Sequence, residues 1–146
     1  MTTATNDKCL DYCNNLLAGE LSAVETYDIA IDRFDQAEGL SKLSEIRSEH
    51  QESVTCLQSQ VQTLGGTPTT ASGRWGTFAT TVEKAASLLG DDSAIGSLEQ
   101  GEKHGISEYE SALESEHVSA ECKELISEKL LPRLHAHLRV LAEIKS

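Results

Sequence analysis

The chain has 146 residues, with 24 acidic and 12 basic side chains giving a formal net charge of −12. With 38% hydrophobic residues, 10 Gly and 2 Pro, it is long enough for one domain, residues 1–146, and its composition is neither disordered nor fibrous. Its charge repels phosphate backbones and anionic lipid, which argues against nucleic acid or a membrane as a partner.

The N-terminal residues MTTATNDKCLDY lack a basic start followed by an apolar stretch. No run approaches the roughly 18 apolar residues of a membrane helix, so a cytoplasmic protein is expected. From Asp7 to Glu38 the stripe Leu10, Cys13, Leu17, Val24, Tyr27, Ile31 and Phe34 steps by three and four, as one helix face does, and Glu20 falls on it. Gly39 is expected to end this helix. A second follows through Leu43, Ile46, His50, Val54, Leu57, Val61 and Leu64 and stops at Gly65-Gly66 and Pro68. Residues from about 6 to 64 therefore read as a helical hairpin.

The connection from about 65 to 92 begins as loop, GGTPTTASGR, and continues as a short amphipathic helix marked by Trp75, Phe78, Ala79, Val82, Ala85, Ala86 and Leu89. Gly90-Asp91-Asp92-Ser93 supplies N-cap candidates. The second hairpin, about 93 to 146, carries Ile95, Leu98, Glu102, Ile106, Tyr109 and Leu113 on one helix. Its last helix, from about Ser119, carries Leu125, Leu130, Leu134, His137, Leu141 and Ile144. Pro132, within that last helix, would free the carbonyl of Glu128 and kink the helix, or else start a fresh segment. No stretch has the alternation of a β-strand. The expected fold is all-α: a four-helix bundle of two hairpins with a short extra helix in the long connection.

The first helix of each hairpin carries the same phrase, LLAGELSAVETYDIAI at 16–31 and LEQGEKHGISEYESAL at 98–113. Each sets a glutamate into an apolar stripe, with a tyrosine seven residues on. A core carboxylate is costly unless a proton, a hydrogen bond or a metal compensates it, and two of them facing each other repel unless bridged by a cation. The partner helices bring His50 and the pair His135 and His137, whose neutral imidazoles suit iron, manganese or zinc. Glu99, one turn before Glu102, can supply a further carboxylate. His135 and His137 lie some 200° apart on their helix, so they cannot both face one point.

The hairpin pair and the doubled Glu-x6-Tyr resemble the ferritin-like superfamily, including the rubrerythrins and bacterioferritins. The LGGTP turn at 64–68 and the Trp75 connector more closely resemble a family of bacterial four-helix-bundle proteins of unknown function. The superfamily resemblance implies an iron or manganese site between the helices. Its di-iron members take a Glu-x-x-His from each of two helices. This sequence has Ser53 and Cys56 where the second helix would supply that pair, and its one Glu-x-x-His, Glu114 to His117, reads as surface.

A turn near Gly39 would put Glu20 opposite about residue 57, with His50 nearer the level of Tyr27. A turn near His117 would put Glu99 level with about His135. Four cysteines, Cys9, Cys13, Cys56 and Cys122, have no zinc-ribbon spacing and are expected to be thiols. A turn near Gly39 would put Cys13 and Cys56 at similar height, where they are expected to pack at one bundle end and would be able to bridge on oxidation.

Two functions follow. In the first, the bundle holds iron or manganese between Glu20, His50, Glu99, Glu102, His135 and His137, with Tyr27 and Tyr109 nearby. In the second it is a non-catalytic bundle without metal, a homodimer or a stress-related partner protein, in which the core glutamates bond tyrosine or histidine as a register-fixing network. Whether the chain is an enzyme stays open, since no Ser or Cys stands in a nucleophile motif.

Overall fold

The computed structural model describes residues 3–34, 36–72, 80–84 and 89–145. All regular structure among the described residues is helical. The helices are α1 (Thr3–Arg33), α2 (Ala37–Thr63), α3 (Asp91–Glu114), α4 (Ala120–Leu125) and α5 (Leu131–Lys145). A π-helical turn, Ile126–Leu130, fuses α4 and α5 into one rod. Helix α1 packs along α2, and α3 along α5. The two hairpins meet through α1 on α3 and α2 on α5. Of the expected connector helix, residues 80–84 are helical and Val82 is buried. Trp75, Phe78, Ala79, Ala85 and Ala86 lie outside the described residues. No described helix is long and apolar enough to cross a membrane.

The first turn comes earlier than its glycine suggests. Helix α1 ends at Arg33 and α2 begins at Ala37, so Gly39 belongs to the first turn of α2. A Cβ at Gly39 would run into the Phe34 ring, which packs across that turn. Moving the centre of an antiparallel turn shifts the level of every facing residue by about twice as much. The shift brings His50, rather than residue 57, level with Glu20.

The end of α2 matches its sequence. Gly65 takes φ of 84°, Gly65 N donates to Gln62 O, and Gly66 N donates to Val61 O, the paired bonds of a Schellman stop. Asn14 then pins the outgoing loop, its Nδ2 donating to Thr67 O at 3.3 Å and its Oδ1 accepting from Thr69 N at 2.9 Å. At the start of α3, Gly90, at φ 96°, is the N-cap among the four candidates, and no side-chain hydrogen bond caps the helix. Asp91 and Asp92 already lie in the first turn, where a carboxylate favours the positive end of the helix.

The last rod holds Cys122, Ile126, Leu130, Leu134, His137 and Leu141 buried. The first four are spaced by four, a period longer than the 3.6 of an α-helix. The wider π turn absorbs the excess, with Leu131 N donating to Ile126 O five residues back. Pro132 follows at once, where its missing N–H removes an α-type bond anyway. The rod is therefore re-phased before His137, and Ile126 replaces Leu125 on the buried face.

Burial splits the interior into two apolar clusters. One contains Cys9 to Leu17, Val24, Val54 to Val61, Ile106 to Ala112 and Cys122 to Leu134; the other contains Ala23, Tyr27, Ala30, Phe34, Leu43, Ile46, Ile95, Leu98 and Leu141. On α2, α3 and α5 the change from one to the other falls at a buried polar residue, His50, Glu102 and His137, and on α1 it falls just past a fourth, Glu20. One polar layer crosses the whole bundle.

Since the Phe34 ring occupies the space a side chain at position 39 would need, Gly39→Ala is expected to cost about 1–3 kcal/mol in urea unfolding. At Gly19, also helical but with nothing near its Cβ position, Ala is expected to cost nothing and to gain up to about 1 kcal/mol.

Candidate functional site: a buried carboxylate and histidine layer

The four polar residues touch. The His50 ring sits between two carboxylates, Nδ1 on Glu20 Oε1 at 2.6 Å and Nε2 on Glu102 Oε2 at 2.9 Å. His137 Nδ1 lies 3.0 Å from Glu102 Oε1, and its Nε2 lies 2.8 Å from Glu49 Oε1. The His50 and His137 ring centroids are 4.7 Å apart. Glu20, His50, Glu102 and His137 are each at most 4% exposed, whereas the Glu49 side chain is 46% exposed. The row therefore ends at the surface.

The repeated tyrosines cross over. Tyr27 OH donates to Glu102 Oε2 at 3.0 Å, and Tyr109 OH donates to Glu20 Oε2 at 2.5 Å. Each tyrosine thus serves the glutamate of the other hairpin, and the duplicated phrase becomes a reciprocal clasp between α1 and α3. The tyrosines enter from opposite sides, Tyr27 from one apolar cluster and Tyr109 from the other.

Of the six residues proposed as ligands from sequence, the fold joins Glu20, His50, Glu102 and His137. Glu99 points instead to Lys145 Nζ, at 2.7 Å. His135 is exposed, as its angular offset from His137 requires. Ser53, where the resemblance to ferritin-like proteins implies a ligand, accepts from Arg133 at 3.0 Å, and the same guanidinium reaches Glu52 at 3.1 Å. The Cys13 sulfur lies 3.5 Å from that of Cys122. Glu49 was not foreseen, because one residue from His50 on a helix it falls outside the apolar stripe; its only sequence signal is that adjacency.

Residues 8–115 match a family described as a domain of unknown function (DUF2383). The chain belongs to that family. No curated protein and no solved structure matches it. The DUF2383 match contains both copies of the repeated phrase and His50, while His137 lies beyond it.

Among the described residues of this DUF2383 protein, His50, Glu102 and His137 are the group of three metal-type ligands whose donor atoms all lie within 4.8 Å of one another. Electrostatics couples them. Burial opposes a charge on His50, but Glu102 and Glu20 on its two nitrogens outweigh it and lift its pKa to about 10. Burial likewise opposes the charge on Glu102, and His50 and His137 overcome it, lowering the carboxyl to about 2. Both phenols are pushed upward, first by burial and then by the carboxylate each one meets. The interior thus holds an imidazolium between carboxylates, with two neutral phenols donating to them.

These shifts set a pH window for the metal-free protein. The raised His50 contributes fully below about pH 6.5, its ordinary value, and loses that contribution as pH rises through about 10. The lowered Glu102 contributes fully above about 4.5 and loses it as pH falls towards about 2. Thermal melts after chelation are expected to show a plateau between these ordinary values and a fall on each side. His50→Leu leaves two buried carboxylates without their cation; it is expected to cost about 3–5 kcal/mol and to remove the alkaline fall.

Proposed function

We propose that this is a ferritin-like bundle whose polar layer binds one divalent iron or manganese ion, through His50 Nε2, His137 Nδ1 and the Glu102 carboxylate. The carrying observation is their convergence from three helices, with the far nitrogen of each ring held by a further carboxylate, Glu20 for His50 and Glu49 for His137. Two imidazoles and one carboxylate form a donor set suited to a non-haem divalent ion. A carboxylate behind each ring fixes its tautomer and raises its basicity.

The charge is also right for exchange. The protons that now join His50 and His137 to Glu102 occupy the space where a cation would neutralise the same carboxylate. Binding then releases protons and strengthens with pH. The donors favour one ion over two, since Ser53 is engaged by Arg133 and Glu99 by Lys145. A bound ion of this class supplies Lewis acidity and one-electron chemistry. The chain's own contribution is to hold protons on Tyr27 and Tyr109 against Glu102 and Glu20. It also keeps a cavity of about 20 Å³ beside Glu20, His50 and Tyr109, bounded by Gly19 and Gly105, enough for one water-sized molecule.

A second reading is favoured by the completeness of the hydrogen bonding: every ring nitrogen of His50 and His137 already meets a carboxylate. On that reading the layer only fixes helix register, and the protein is a non-catalytic bundle that acts through a partner or a second copy. The Trp75 connector invoked for such a partner lies outside the described residues.

Elemental analysis of protein purified without chelators, followed by melts of the chelated protein with Mn(II) or anaerobic Fe(II), separates the two. Metal binding requires about one ion per chain, a raised melting temperature and proton uptake by the buffer. Glu49→Ala, at a half-exposed position, is expected to weaken binding about 10–100-fold while the chain stays folded. A metal-free protein whose melt neither ion moves leaves the register network as the function of the layer.

A further inference from the structure

At the end of the bundle away from Phe34, three of the four cysteines are buried: Cys9, Cys13 and Cys122. The Sγ atoms of Cys13 and Cys122 lie 3.5 Å apart across the interface between α1 and α4, and neither residue has exposed surface. Cys13 belongs to the first hairpin and Cys122 to the second. Ser119, the N-cap of α4, fixes the first turn of that helix by accepting from Cys122 N at 3.1 Å. The two sulfurs are thus set face to face by two separately anchored backbones.

We propose that Cys13 and Cys122 are an oxidisable pair, which hydrogen peroxide converts to a disulfide that fastens the first hairpin to the second. The sulfurs need approach by only about 1.5 Å to reach bonding distance. One thiolate attacks a peroxide oxygen and expels hydroxide, which is protonated to water, leaving a sulfenic acid. The second sulfur displaces the sulfenic oxygen as another water, forming the S–S bond. Two S–H bonds and the O–O bond break, one S–S bond and two water molecules form, and the two electrons lost by sulfur reduce the peroxide.

Either sulfur can donate to the other. With Cys13 as the donor, its thiol lowers the Cys122 pKa, while the same bond and burial raise that of Cys13, which makes Cys122 the sulfur that attacks. Burial raises Cys9 as well, which leaves it a bystander thiol. Both sulfurs are buried, so a small oxidant reaches them only through local opening of this end of the bundle. Coordination of a soft metal is less well supported, because the three donors that converge among the described residues belong to the polar layer.

The test uses reduced, chelated protein exposed to a small excess of hydrogen peroxide, then denatured, alkylated and weighed. Two of the four cysteines are expected to resist alkylation, with the mass before alkylation lower by two hydrogens. Trypsin is expected to release peptide 9–33 joined to peptide 104–123, and fragmentation to place the link at Cys13. The pattern survives in Cys9→Ser and Cys56→Ser and disappears in Cys13→Ser and Cys122→Ser. The oxidised chain should melt roughly 5 °C or more above the reduced one, and dithiothreitol should reverse this. Four alkylated cysteines after peroxide, a link through Cys9 or Cys56, or sulfinic acid in place of the link overturns the proposal. Chelation keeps that outcome independent of metal binding.

Discussion

The His50 ring, with one carboxylate on each nitrogen, lies where the four rods come closest to sharing a centre. Glu20 comes from α1, Glu102 from α3, and His137 from α5 reaches the same Glu102. Two carboxylates in an apolar interior would each shed charge by binding a proton. With the cationic ring beside it Glu102 stays ionised, and the ring in turn stays charged at pH values where a free imidazole is neutral. None of the three is tolerable there alone. This mutual dependence fixes the relative height of the helices more tightly than apolar packing does, because leucine against leucine slides at little cost whereas a hydrogen bond between buried charges does not.

Much of the architecture could be read from periodicity. The stripes on α1, α2 and α3 became the buried faces nearly residue for residue, and Gly65-Gly66 stops α2 as its chemistry suggests. Misreadings occurred where one residue type serves two purposes. Gly39 looks like a helix terminator but is there to admit the Phe34 ring, and that displaced turn carried the level of every residue on α2 with it. The π turn before Pro132 had its signature in the run of buried positions spaced by four. That run is visible only once Cys122 and Ile126, rather than Leu125, are known to face inward.

The site divides along the same line. Glu20, Glu102, His50 and His137 were legible because each interrupts an apolar stripe, and a charge among leucines needs a reason. Glu49 lies on a half-exposed face where glutamates are ordinary, and nothing in the chain marks it until the His137 ring is seen against it. The crossing of the tyrosines was hidden too. Periodicity places Tyr27 on the same face as Glu20, but which hairpin's glutamate it meets depends on the stagger between α1 and α3.

The sequence Tyr109, Glu20, His50, Glu102, His137, Glu49 forms one unbroken file from a fully enclosed phenol to a carboxylate in contact with solvent. Each member is hydrogen-bonded to the next, so no gap interrupts the file. The innermost groups of this bundle are thereby linked to a carboxylate that meets solvent, without the helices having to part.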